Sequence, residues 1–199
     1  MWKTYYHSFL WYLASKNITP NDVTVARTIA FLLVVILWMI FRLYAENWTL
    51  LILIIVSVPI WLLDMVDGDL ARTTNQMTER GKRWDPAADK VKFYAIMIVM
   101  GIMDLGIIVL GLTALMGTLD FLSTYLREFQ KTGDKGANIF GKAKLVFQVF
   151  TIIGFALYIY LWEYDFGQFN DWIYRVALWS LIAAILLATI SVIKRLTTK

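Results

Sequence analysis

The stretch "LLDMVDGDLARTTNQMTERGKRWDPAADK", residues Leu62–Lys90, separates two strongly apolar segments of the chain. The segments on either side, Asn47–Leu63 and Phe93–Met103, contain no charged residue. The stretch itself contains six carboxylates: Asp64, Asp67, Asp69, Glu79, Asp85 and Asp89. Acidic residues grouped between two apolar segments indicate a polar site at the boundary of a membrane, where water and hydrocarbon meet.

The rest of the chain is also rich in long apolar segments. Of its residues, 59% are hydrophobic and 17% are charged, whereas soluble domains have about 45–50% and about 25%. A run of about 20 apolar residues crosses a bilayer as a helix. The sequence therefore predicts an all-α integral membrane protein, with a very short third connection at Asp104. Its six transmembrane helices are expected at roughly 22–43, 47–70, 84–103, 105–127, 143–162 and 172–194.

Residues 1–16 differ from these spans because they are short and amphipathic. Their apolar residues recur at helical spacing: Trp2, Tyr5, Tyr6, Phe9, Leu10 and Leu13. We expect an interfacial helix lying on the membrane surface, followed by one six-helix domain over residues 17–199. The segment "NITPND", Asn17–Asp22, predicts the turn between them, with Pro20 disfavouring a helix before it and Asn21 or Asp22 capping the next helix.

The basic residues are unevenly distributed between the two sides of the predicted membrane. Of the 19 Lys and Arg residues, all but Arg42 and Arg175 fall on the side that carries both termini and the acidic stretch. The positive-inside rule predicts that this side is cytoplasmic. The chain has no cysteine and a single histidine, His7, which excludes disulfides, thiol chemistry and histidine-rich metal sites. Nothing in the sequence predicts a nucleic-acid partner.

The spacing of the acids indicates metal binding. Asp64 and Asp67 are three residues apart, and Asp85 and Asp89 are four apart, so each pair shares a helical face. Four carboxylates at one boundary repel each other unless a cation compensates them. Oxygen ligands suit Mg²⁺, Mn²⁺ or Ca²⁺, and two such ions about 3.5–4 Å apart can promote phosphoryl transfer. The alternative is a solvated loop with helix-capping acids, for which Asp85 before Pro86 is suited.

Small and basic residues lie between the two acidic pairs. Gly68 and Ala71 allow a flat ligand or a facing helix to approach the backbone. Arg72 offers a planar fork of donors for a phosphate group. Gly81 is expected to interrupt the connecting loop.

The full pattern is Asp64-x-x-Asp67-Gly68-x-x-Ala71-Arg72, eight residues, then Gly81-x-x-x-Asp85-x-x-x-Asp89. It resembles the CDP-alcohol phosphotransferase motif at every fixed position. The resemblance implies a six-helix membrane enzyme, usually a homodimer, that transfers a phosphatidyl group from CDP-diacylglycerol to an alcohol and releases CMP. It implies divalent-metal ligation by Asp64, Asp67, Asp85 and Asp89, with Asp89 also the general base that takes the acceptor hydroxyl proton. It further implies contacts to CDP and its pyrophosphate by Asp67, Gly68, Ala71, Arg72 and Gly81.

Three further segments bear on the acceptor. "DPAADK", Asp85–Lys90, resembles the form found in phosphatidylglycerophosphate synthases and in cardiolipin synthases, while "REF" and "GKAKLVFQ" are similar to elements of the glycerophosphate enzymes. Glycerol 3-phosphate is therefore the favoured acceptor, with inositol phosphate and phosphatidylglycerol as alternatives. The expected contacts to the acceptor phosphate are Arg27, Arg127 and Lys142. The same basic residues could instead reflect positive-inside bias and attraction to anionic lipid.

Two other classes of protein remain as alternatives to an enzyme. Intramembrane carboxylates often mark ion paths in transporters, but here the acids gather at one boundary and no inverted repeat is visible. A non-catalytic scaffold that binds the donor lipid would not require all four aspartates. Phosphatidyl transfer is therefore the favoured function.

Overall fold

A computed structural model describes the backbone of residues 2–44, 48–74, 79–129, 139–162 and 167–197. Several helical side chains lie outside this description, among them those of Asp64, Asp85 and Arg127. The described residues form helices and turns and include no strand. The α-helices are α1 Trp2–Ser15, α2 Pro20–Tyr44, α3 Trp48–Thr73, α4 Glu79–Met100, α5 Gly106–Phe129, α6 Ile139–Leu161 and α7 Gln168–Thr197.

The predicted all-α class is confirmed, and each of the six predicted spans overlaps one of the helices α2 to α7. Within the described residues, four helical stretches are long and apolar enough to cross a membrane: Pro20–Tyr44, Ala87–Leu126, Ile139–Leu161 and Gln168–Thr197. The second stretch contains most of α4 and α5. The count of six spans and the interfacial position of α1 stay predictions.

The start of α4 differs from the predicted start at residue 84. The helix begins at Glu79, so Gly81 and Asp85 are helical and do not lie in a loop. The prediction that Gly81 interrupts the connection was wrong, because one glycine within a helix costs only about 1 kcal/mol. As a consequence, positions 81, 85 and 89 follow one another at intervals of four residues along the same strip of α4.

The junction between α1 and α2 shows why α1 ends and why α2 begins where they do. Asn17 adopts a positive φ of 57°, and the Ile18 amide bonds the carbonyl of Leu13, which is a Schellman C-cap with asparagine in the usual glycine position. Pro20 then occupies the first position of α2. The N-cap is Thr19 and not the predicted Asn21 or Asp22, which lie in the first turn of α2. Asp22 completes a capping box: the Thr19 amide donates to Asp22 Oδ2 at 2.9 Å, and the Asp22 amide donates to Thr19 Oγ1 at 3.3 Å.

The chain forms two compact units, Met1–Ala95 and Ile96–Lys199. In the first unit, α2 and α1 both pack on α3. Leu10 of α1 and Leu70 of α3 are fully buried. Since Leu70 lies within the acidic motif, this packing places the motif against α1 and α2.

In the second unit, α7 packs against α6 and α5. A Cβ built on Gly154 of α6 would lie 2.8 Å from Cβ of Ala177 on α7, so glycine permits this close approach, as small residues do between membrane helices. A short π-helix, Gly101–Leu105, follows α4 and ends at Gly106, whose φ is +79°. This break in the helix coincides with the short connection predicted at Asp104.

Candidate active site

The five motif positions on α3 share one side of the helix. At 100° per residue, positions 64, 67, 68, 71 and 72 fall within an arc of about 140°. Gly68 is exposed, and a Cβ built there would meet no atom of the described residues within 4 Å. Arg72 is also exposed, whereas Leu70, which lies outside the arc, is fully buried. The motif therefore has an open side around Gly68 and Arg72 that a ligand can approach.

Asp67 lies at the buried edge of this arc and is bound by two residues of α2. The Arg27 guanidinium is 3.3 Å from Asp67 Oδ2, and its side chain is only 1% exposed. The Thr24 hydroxyl donates to the same oxygen at 2.8 Å. A buried carboxylate is costly unless a cation and hydrogen-bond donors compensate it, and Arg27 and Thr24 supply both to Asp67. Arg27 is predicted from the sequence as a contact to the acceptor phosphate, and its contact with Asp67 was not predicted.

Asp69 connects the motif to α1. The Tyr6 hydroxyl donates to Asp69 Oδ2 at 3.0 Å, and Arg72 Nη1 lies 3.8 Å from Asp69 Oδ1. Burial, followed by the hydrogen bond to Asp69 and its charge, raises the pKa of the Tyr6 phenol. Tyr6 therefore remains a protonated donor at neutral pH.

On α4, Asp89 is about half exposed, and its Oδ1 lies 2.7 Å from Nζ of Lys92. Ala88 and Phe93 are buried, and this part of α4 belongs to the first unit. The side chains of Asp64, Gly81 and Asp85 lie outside the described residues. Among the side chains that are described, no three acidic, histidine or cysteine residues come together to hold a metal ion. The predicted four-aspartate ligand set therefore stays a prediction.

The donor chemistry of the described residues fits a hard divalent cation. Both contacts to Asp67 from described residues are made at Oδ2, which leaves Oδ1 as the oxygen suited to a metal. Asp89 is accessible, and its counter-ion Lys92 is a neighbour on the same helix. Carboxylate oxygens are the ligands that Mg²⁺ and Mn²⁺ prefer.

Of the predicted acceptor contacts outside the first unit, Lys142 is exposed on α6, and the side chain of Arg127 lies outside the described residues. The buried lysine is Lys144, which forms an ion pair with buried Asp120 of α5. Gln148, one turn further along α6, is also buried. This pair was not predicted from the sequence. The available signal was that Lys144, Gln148 and Thr151 follow the spacing of one helical face.

Aspartates, a glycine and an arginine on one face of α3 are groups that can bind a divalent cation and a phosphate. The sequence profile of the CDP-alcohol phosphatidyltransferases matches residues 17–190. Because this match covers most of the chain, the protein belongs to the CDP-alcohol phosphatidyltransferase family. No curated protein and no solved structure gave a match to the chain. Family membership indicates phosphatidyl transfer from a CDP-alcohol to an alcohol acceptor in a membrane, by enzymes that generally depend on divalent metals.

Proposed function

We propose that the protein transfers a phosphatidyl group from CDP-diacylglycerol to glycerol 3-phosphate and releases CMP. The observation that carries this proposal is the complete motif on α3 and α4, whose described part has an open side and a stabilised buried aspartate. The acceptor rests on the resemblance of "DPAADK", "REF" and "GKAKLVFQ" to the glycerophosphate enzymes. The exposed Lys142 at the start of α6 is suited to binding a dianionic phosphate.

In the proposed reaction, the acceptor hydroxyl oxygen attacks the phosphorus that carries the diacylglycerol. The bond from this phosphorus to the bridging oxygen of the pyrophosphate breaks, and CMP leaves with that oxygen. The hydroxyl proton passes to the Asp89 carboxylate, which is accessible from solvent. Arg72 binds the pyrophosphate, and Gly68 allows it to approach the backbone of α3.

Two divalent ions, Mg²⁺ or Mn²⁺, would be held by Asp64, Asp67, Asp85 and Asp89. When bound, such ions neutralise charge on the phosphate oxygens. Arg27 and Thr24 would hold the Asp67 carboxylate in position at this site. Arg27 also stays a candidate for the acceptor phosphate, together with Arg127 and Lys142. Ala71 and Gly81 complete the proposed nucleotide contacts.

The proposed setting is a membrane with the active site on its cytoplasmic face. The 17 basic residues on that side support this orientation, and the lipid donor requires a site at the interface. We further propose six spans, an interfacial α1 and a homodimer, the last on the resemblance alone. The exposed Tyr5, Phe9, Trp11 and Tyr12 support the position of α1 at the lipid surface.

The proposal is tested with purified protein in detergent micelles containing CDP-diacylglycerol and Mg²⁺. CMP release is measured with glycerol 3-phosphate, inositol phosphate, inositol, serine or phosphatidylglycerol as the acceptor. We expect release that depends on glycerol 3-phosphate, with formation of the corresponding lipid phosphate. Turnover only with another acceptor would overturn the acceptor assignment, and no turnover with any of them would overturn the proposed activity.

A further inference from the structure

Asp69 lies between motif residues, yet the motif itself assigns it no role. Its two carboxylate oxygens have different partners: Oδ2 accepts the hydrogen bond from Tyr6, and Oδ1 is the oxygen nearest to Arg72. A carboxylate that is bound at one oxygen keeps the other oxygen in a fixed direction. Tyr6 of α1 therefore sets the rotamer of Asp69. That rotamer determines the position of Asp69 Oδ1, the carboxylate oxygen nearest to the Arg72 guanidinium.

We propose that Tyr6 and Asp69 are positioning residues that hold the Arg72 guanidinium ready for the pyrophosphate of a CDP-linked lipid. The inference rests on the proposed function, because the role of Arg72 as a pyrophosphate contact belongs to it. Neither Tyr6 nor Asp69 touches the reacting atoms in this scheme, and both act through Arg72.

The Asp69–Arg72 pair would contribute little by itself. Arg72 is 78% exposed, and the two residues are three apart on one helix, a setting in which water and side-chain mobility weaken an ion pair. Tyr6 changes this, because it is partly buried and comes from a different helix. Fixing the arginine before the ligand arrives reduces the ordering cost of binding.

The packing of α1 makes Tyr6 a stable anchor. Leu10 lies one helical turn after Tyr6 and is fully buried, so α1 is fixed against α3 next to the hydrogen bond. Tyr5 adjoins Tyr6 in the sequence but is 69% exposed. The helix therefore supplies a matched control: one tyrosine whose hydroxyl reaches Asp69 and a neighbour that points elsewhere.

The test compares Tyr6→Phe with Tyr5→Phe in steady-state kinetics. Losing one hydrogen bond that acts through Arg72 should raise the KM for CDP-diacylglycerol about three- to tenfold. The kcat and the KM for the acceptor should stay within about twofold, and Tyr5→Phe should match the unsubstituted protein. Asp69→Ala should raise the same KM, and adding Tyr6→Phe to it should raise it no further.

A second comparison separates positioning from general stability. In an Arg72→Ala background, Tyr6→Phe should have no further effect, because the residue through which it acts is gone. An equal effect with and without Arg72 would overturn the inference, and so would a Tyr6→Phe enzyme that behaves like Tyr5→Phe. If Asp69→Ala does not fold, the Tyr6 and Arg72 variants decide the question.

Failure of this inference can be distinguished from failure of the proposed function. An active enzyme that is indifferent to Tyr6→Phe would refute the positioning role alone. If the protein releases no CMP, its affinity for CDP is measured by calorimetry, and Tyr6→Phe should weaken that affinity by the same three- to tenfold. A protein that neither releases CMP nor binds CDP would refute both proposals.

Discussion

The contact between α2 and Asp67 gives a quantitative prediction about how the first unit is stabilised. Arg27→Met replaces the side chain with another long, unbranched one but removes the positive charge that pairs with Asp67. Thr24→Val keeps the shape and removes the hydroxyl that donates to Asp67 Oδ2. Thr28→Val is the matched control, because the Thr28 hydroxyl bonds the Thr24 carbonyl within α2 and does not reach Asp67.

The expected magnitudes follow from the burial of the pair. Removing one partner of a buried ion pair costs about 3–5 kcal/mol, and removing a hydrogen bond to a charged group costs about 1.5–3 kcal/mol. For a chain of this size, each kcal/mol shifts Tm by roughly 2–4 °C. We therefore expect Tm to fall by roughly 6–20 °C for Arg27→Met and by roughly 3–12 °C for Thr24→Val, with the smallest change for Thr28→Val.

The assay is thermal unfolding in detergent micelles, combined with kinetics at a temperature where every variant is folded. If Arg27 serves Asp67, Arg27→Met lowers kcat and leaves the acceptor KM nearly unchanged. If Arg27 binds the acceptor phosphate, the acceptor KM rises by more than about tenfold, the cost of a charge-assisted bond. An Arg27→Met protein with an unchanged Tm would refute the view that this ion pair stabilises the first unit.

Two further predictions concern the other carboxylates. Lys144→Met should destabilise the second unit by about 3–5 kcal/mol because it removes the cation that pairs with the buried Asp120 carboxylate. Asp120→Leu/Lys144→Met should recover most of that loss. Thermal unfolding that shows an equal loss of stability in both proteins would contradict this. Asp89→Asn should abolish CMP release without lowering Tm, because an amide cannot take the acceptor proton. Asp171→Asn, at an exposed aspartate of α7, is the control and should have no effect. Substantial residual turnover of Asp89→Asn would argue against Asp89 as the base.

Much of the fold could be predicted because the determinants are local. Long apolar runs predict long helices whatever their neighbours are, and Pro20 and Asp22 marked the start of α2. The start of α4 was predicted at residue 84, whereas the helix continues back to Glu79 through charged residues that do not extend the apolar run.

The site was less predictable because its contacts join residues far apart in the chain. The motif indicated Asp67, but no sequence spacing links it to Arg27, 40 residues earlier, or links Asp69 to Tyr6, 63 residues earlier. Lys144 and Asp120 were equally hidden, since a lysine near a membrane boundary is usually interpreted as part of the positive-inside bias. Such pairings depend on which helix faces pack together.

The central claim is that the acidic ends of α3 and α4 act through divalent cations. It is tested most directly by CMP release from CDP-diacylglycerol before chelation, after exhaustive treatment with EDTA, and after Mg²⁺ or Mn²⁺ is restored. Chelation should abolish release and either ion should restore it, with Asp85→Asn remaining inactive throughout. Undiminished release from the fully chelated protein would contradict it.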